Sequence, residues 1–473
     1  MLQRTREWLT IILIALLPLH ALLVTVWTHV ISGPGNAPLM MLAVWKEALL
    51  GILLFIALIE ILFIRRSFRA FLLDKIDSLI VALIVLSVVT TYITHQNWML
   101  YLYGFKYDFV PLVAFLFLRR VEWSETFRYT IRGILIALGA IVSLYGFISL
   151  FLPHSFFQLL GYSALHSLYL PGDSIAAFQQ IGGLGLRRMQ STMSGPNQLG
   201  LWLLIPLGFL ILNGIKYYLA SDTVAERVLI KLLLREKGKL LITIILILIL
   251  GAALVLTYSR SAWIGAALIA LIAFARHFDK DALHRILIRI GAFILFAGLL
   301  IAFTKPEILS RVASSRDHLT RPVEAAKVMV ANPFGLGLGS AGPASNRVSD
   351  ACVHLPADGD ASWAADRQDL CVFLGERQVQ PEGRECSCPF LPENWYLQIG
   401  VELGIMGFVL FILIIFFVIR MLSKSKDYSL GEGVLLGFVG ISIVALFLHA
   451  WEDSAMTYTL WILTATYVFN SQD

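Results

Sequence analysis

Arg188 and Arg260 are the residues whose type and setting point most directly to chemistry. Arg188 precedes the stretch Gln190-Ser191-Thr192-Met193-Ser194-Gly195-Pro196-Asn197-Gln198-Leu199-Gly200. Pro196 suits the first turn of a helix and Ser194 can cap it. Such a helix start offers free N–H groups and the positive end of the dipole to an anion. Arg260 lies in Thr257-Tyr258-Ser259-Arg260-Ser261, a polar hairpin between two apolar runs. The planar fork of arginine grips phosphate oxygens in pairs, so two arginines beside a helix start form a clamp for a diphosphate. The bland alternative is that both hold lipid headgroups or loop carbonyls. Asn197 and Ser259, one in each stretch, are candidate substrate contacts.

Glu393 opens Glu393-Asn394-Trp395-Tyr396-Leu397-Gln398. It is a candidate general base, because a partly desolvated carboxylate binds protons near working pH. On sequence alone a glutamate at a helix start is more often simply favourable with the helix dipole. Asn394 could orient it, and Glu402, deeper on the same helix, reads as structural. Lys46-Glu47 lies inside an apolar run and reads as a charge pair locking helices together. Lys106 with Asp108 interrupts another run. Lys106 is a candidate substrate contact, against the simpler reading of a packing or snorkelling lysine. Asp358-Gly359-Asp360 resembles a metal-binding pair but fits a solvated turn better. The run Asn332 to Ser340 mimics a phosphate loop without its lysine or its strand. Neither a metal nor a cofactor is expected.

The elements that must position these groups are apolar. The chain has 473 residues, of which 58% are hydrophobic and 15% charged, with a mean hydropathy of +0.78. Soluble chains are about 45–50% apolar and about 25% charged, so a polytopic membrane protein is expected. The net charge of +5 reads as a positive-inside bias and not as a nucleic-acid footprint. The apolar runs predict twelve transmembrane helices at about 8–31, 40–64, 76–94, 99–118, 127–152, 196–215, 239–258, 261–276, 285–304, 395–420, 431–449 and 455–470. Lysines and arginines fall in alternate loops, which puts the N-terminus inside and residues 153–195, 257–261 and 304–394 outside. The first run is too long for a cleaved signal and reads as retained. Residues 216–239 read as an amphipathic stretch on the anionic leaflet.

The expected organisation is therefore residues 1–303 with helices one to nine, a loop at 304–394, and residues 395–473 with helices ten to twelve. All four cysteines, Cys352, Cys371, Cys386 and Cys388, lie in the loop. An outer, oxidising side favours disulfides. A Cys386–Cys388 bridge would close a very tight ring, so each is expected to reach back to Cys352 or Cys371. A zinc site using Cys386, Cys388 and His354 is the weaker alternative.

Taken together these stretches resemble the O-antigen ligase and O-antigen polymerase superfamily. The matching pieces, in order, are Gly104-Phe105-Lys106-Tyr107-Asp108-Phe109-Val110-Pro111, Arg188 with Thr192 and Pro196 to Gly200, Thr257 to Gly265, Asn332 to Gly339, and Glu393 to Gln398 continuing into Glu402-Leu403-Gly404-Ile405-Met406-Gly407. The resemblance implies a twelve-span, all-α, GT-C-like fold with one large extracytoplasmic loop, in the inner (plasma) membrane. It implies transfer of a glycan from an undecaprenyl-diphosphate-linked donor to a hydroxyl on lipid A-core, another glycan or a protein. Arg188, Arg260 and Glu393 would be the catalytic residues. Ligases of this family usually carry histidine before the asparagine where this chain has Glu393, which shifts the expectation toward polymerase-like relatives. The rival from another class is a flippase of a lipid-linked glycan, but no matching halves of the kind transporters use are evident.

Overall fold

The computed structural model describes residues 1–34, 36–65, 73–163, 176–181, 186–222, 230–281, 284–285, 312–355, 357–367, 369–424 and 431–467. Seven of the helices described are long and apolar enough to cross a membrane: Leu2–Ser32, Met40–Phe63, Lys75–Ile93, Glu125–Phe151, Pro196–Leu219, Lys237–Leu256 and Trp395–Ser423. An eighth crossing is a bent pair, Trp98–Asp108 and Val110–Leu118, which meet at 50°. Pro111 has no N–H to continue the helical ladder, which accounts for the bend. The expected span 285–304 lies outside the described residues. Arg260–His277 is helical as expected, and Gly431–Val444 and Ser454–Tyr467 are helical over their described residues, with 425–430 and 468–473 outside the described set. The structure is thus an all-α membrane protein in its coarse form.

The Pro196–Leu219 helix is the axis of the bundle. In its apolar window 83% of residues are buried, against 22–39% for the other spans. Helices Glu125–Phe151, Ile230–Leu256, Arg260–His277, Gly431–Val444 and Ser454–Tyr467 pack around it. The described ends of the expected surface stretch 216–239 instead continue two transmembrane helices, Pro196–Asp222 and Ile230–Leu256, and residues 223–229 lie outside the described set.

At one end of the bundle, arginines lock onto the acidic starts of helices. Asp74 and Asp77 form a capping box on Lys75–Ile93. Arg119 reaches Asp74 at 2.6 Å and Asp77 at 2.9 Å, and Arg120 reaches Asp77 at 2.6 Å. Arg6 pairs with Glu60 at 3.0 Å and donates to the Glu122 carbonyl at 2.6 Å.

The cap covers the other end. Its strands Cys352–Leu355 and Cys371–Leu374 run parallel, with Arg377–Gln380 antiparallel to the second. Cys352 and Cys371 are register partners, so both half-cystines start neighbouring strands. The returning segment crosses them and forms Cys352–Cys388 and Cys371–Cys386. Each late cysteine reaches back, as expected. All four thiols are consumed, which removes the zinc alternative, and His354 stacks on Phe373. Asp350 is held below the usual carboxylate range by Arg384 and by the Ser387 N–H. Its share of the cap's stability is therefore present at neutral pH and lost as the pH falls through that range. Asp360 accepts from the Ser362 N–H at 2.8 Å, which makes Asp358-Gly359-Asp360 a turn.

The Arg119–Asp77 pair is almost fully buried, at 2% and 0% side-chain exposure. Asp77→Ala removes the carboxylate that Arg119 and Arg120 share, leaving Arg119 with Asp74 alone, and is expected to cost roughly 3–5 kcal/mol, read as a fall in the melting temperature of the detergent-solubilised protein.

Candidate functional site

Arg188 and the hairpin at 257–261 meet. The Arg188 Nε donates to the Thr257 carbonyl at 2.9 Å, and the Met189 amide donates to the Leu256 carbonyl at 2.9 Å. The remaining guanidinium nitrogens donate to Gln179 Oε1 and Asn197 Oδ1, each at 2.9 Å. Asn197 therefore lies beside Arg188, as expected of a shared site, and its carbonyl oxygen orients the guanidinium. Arg260 is the first residue of the Arg260–His277 helix, half-buried, one position after the capping Ser259. Ser259 is itself buried, its amide bonded to Thr257 Oγ1 at 3.1 Å.

The same stretch is tied to the first span. Pro18 lies in a 3-10 turn, Leu17–Leu19, that interrupts the helix. A continuous helix would pair the Pro18 carbonyl with the Leu22 amide. Here Thr192 takes both: its hydroxyl donates to Pro18 O at 2.7 Å and its carbonyl accepts from Leu22 N at 3.2 Å.

The glycine run, which mimicked a phosphate loop, spends its amides on the protein. The Trp395–Ser423 helix breaks at Gly404, whose φ is +70°. That break releases the carbonyls of Val401 and Glu402, which accept from Leu336 N and Gly337 N, each at 2.9 Å. The Glu402 carboxylate accepts from Gly339 N at 3.1 Å and Ala341 N at 3.3 Å. A Cβ at Gly404 would stand 2.0 Å from the Pro333 carbonyl oxygen, and one at Gly104 would stand 2.6 Å from Gly339 N. Glycine is required at both. Glu402 is thus structural, as its depth implied, and it also faces Asp108, which faces Glu452 in turn.

Glu393 has a left-handed backbone, φ +54°, and its carboxylate lies 3.4 Å from Arg321. Asn394 does not orient it. The Asn394 carbonyl oxygen caps the following helix at Leu397 N, and its amide donates to Leu446 O, both at 3.0 Å. Arg321 is a functional candidate that sequence reading missed. Among the described residues four non-glycines have positive φ: His95, Ser191, Tyr258 and Glu393. Three of them fall in the stretches that carry the arginines and Glu393. Such conformations cost about 1–3 kcal/mol each and gather at functional sites.

Lys106 lies elsewhere, on the wall of a polar cavity of about 270 Å³. Its neighbours there include His20, Lys46, Glu47, Ser194, Arg347 and Asp453. Glu47 lies 3.1 Å from Lys106 and 3.3 Å from Lys46, so the charge pair expected to lock helices also lines a cavity. Met193 and Ser194 border it, which connects it to the Arg188–Asn197 stretch. Arg188, Arg260 and Glu393 are not on its wall. His20 and Asp453 carried no local signal in the sequence, because their partners come from other spans. No protein-family model matches the chain, and no curated protein is significantly similar to it.

Glu402→Ala strands the amides of Gly339 and Ala341 and is expected to cost roughly 1–3 kcal/mol for each. Glu402→Gln keeps an acceptor oxygen there and is expected to lose markedly less. Paired thermal melts check both.

Proposed function

We propose that the protein is a membrane glycosyltransferase of the O-antigen ligase and polymerase type, with a GT-C-like arrangement of twelve spans. It transfers a glycan from undecaprenyl diphosphate to an acceptor hydroxyl on the extracytoplasmic face. The observation that supports this reading best is the fixation of Arg188. Three acceptors from three segments hold one guanidinium beside the hairpin that carries Arg260. A cation held this way needs no reorganisation as charge develops on a leaving group, which is how fixed donors lower a barrier.

The reaction is a single displacement with inversion. The acceptor oxygen bonds to the anomeric carbon while the bond from that carbon to the diphosphate oxygen breaks. The lipid diphosphate leaves with the electron pair, and Arg188 and Arg260 bear its charge. The acceptor proton passes to a base on the protein, for which Glu393, paired with Arg321, is the candidate that the sequence offers. The disulfide-braced cap limits water, so that the donor is transferred and not hydrolysed. The acceptor is lipid A-core, a growing glycan or a protein. A flippase would use the same arginines, but the bonds that anchor Arg188 to both neighbouring stretches favour a rigid site over a moving one.

Purified protein supplied with a lipid-diphosphate oligosaccharide and candidate acceptors tests this. Arg188→Ala and Arg260→Ala are each expected to lower transfer about 100-fold or more, with Arg→Lys variants also impaired. Transfer at the wild-type rate by either alanine variant overturns the clamp. Lipid movement across vesicles without any product supports the flippase.

A further inference from the structure

The contacts of His20 fix where its proton lies, and with it the state of Lys46. The Trp45 indole Nε1 stands 3.0 Å from His20 Nδ1, and Lys46 Nζ stands 3.0 Å from His20 Nε2. An indole nitrogen can only donate. His20 Nδ1 must therefore present a lone pair, and the ring hydrogen sits on Nε2. That N–H points at Lys46 Nζ. An ammonium has three donors and no acceptor, so an ammonium here would set two donors against each other. The opposite tautomer sets the Trp45 N–H against the Nδ1 hydrogen instead. One assignment satisfies both contacts of the ring: Lys46 is an amine whose lone pair accepts from His20. One of its hydrogens then serves the Ala43 carbonyl at 3.3 Å, and Glu47 Oε1 stands 3.3 Å from the nitrogen.

We infer that Lys46 is an uncharged amine on the wall of the polar cavity, and that the cavity takes a hydroxyl-bearing substrate whose proton this amine accepts. The charged and titratable groups around it are His20 from the first span, Glu47 on its own helix, Lys106 and Tyr107 from the bent span, Glu452 and Asp453 before the last helix and Tyr458 on it, with Arg347 reaching in from the cap. Lys106 already balances Glu47 at 3.1 Å, so a second ammonium is not required to neutralise that carboxylate. To take a proton, Nζ turns on its four-carbon stem from His20 toward the cavity. The hydroxyl's O–H bond breaks, the proton joins the amine, and Glu47 stabilises the ammonium that forms. The role in glycan transfer rests on the reading proposed above, in which Lys46 receives the acceptor proton in place of Glu393; the uncharged state does not rest on it.

The full-length protein in nanodiscs is treated at neutral pH with a trace of acetic anhydride, and each lysine is read by mass spectrometry. Ammonium groups do not acylate, and an ordinary lysine holds almost no free amine at neutral pH. Lys46 is expected to be labelled at least about tenfold more than Lys106, which shares the cavity and is the more exposed of the two, at 32% against 6% of the side chain. Labelling of Lys46 at or below Lys106 overturns the inference, and this holds on the wild-type protein whatever the variants do. For the role, Lys46→Met is expected to lower transfer about 100-fold and Glu393→Gln to lower it less. A Lys46→Met variant that folds and transfers normally removes the proton-accepting role. Selective labelling of Lys46 in a protein that transfers nothing from any lipid diphosphate sinks the transferase reading and leaves the amine assignment standing.

Discussion

At two helix breaks, Pro18 and Gly404, the backbone groups released are taken up by a specific partner segment. Hydrocarbon offers no water to do this, and an unpaired backbone group there costs several kcal/mol. The break at Pro18 is closed by both ends of Thr192. The break at Gly404 is closed by Leu336, Gly337 and the carbonyl of Pro333. Satisfying the backbone therefore forces the candidate site together: the partner segments are the stretch that carries Arg188 and the glycine run that roofs the bundle. The site is a by-product of closing broken helices as much as of any side-chain attraction.

That origin explains where strain collects. Ser191, Tyr258 and Glu393 take left-handed backbones within or beside these same segments. A turn that must present amides and carbonyls to a neighbouring break has few conformations left. The central Pro196–Leu219 helix, buried on almost every side, gives these turns a rigid base. Arg188 depends on both: two of its three acceptors are a turn carbonyl, Thr257 O, and a side chain in the first turn of that helix, Asn197.

Much of this was legible in the residues. Apolar runs marked most of the described helices to within a few positions, and the polar stretch Gln190 to Ser194 beside Pro196 marked a helix start. The two cysteines of the returning segment were expected to reach back, and only strand register could say that Cys352 takes Cys388. The glycine run read as a failed phosphate loop because its true partners, the carbonyls around Glu402, lie on a helix more than sixty residues on. Lys46-Glu47 read as a packing pair because His20 and Lys106 come from other spans. Asn394 read as an aid to Glu393 and proved to be a cap. In each case the sequence showed the residue type, and the missing information was a partner distant along the chain.

Gln96 donates to the Leu338 carbonyl at 2.9 Å, and Gly104 packs on Gly339. The early spans thus finish their contacts only on segments made near the end of translation. During synthesis the bent span with Asp108 enters the bilayer before Glu402 and Glu452 exist, so it must wait, provisionally lodged, for its neighbours to emerge. The ribosome delivers the keystone last, and nascent chains stopped short of Glu402 would leave the capped half of the bundle unlatched.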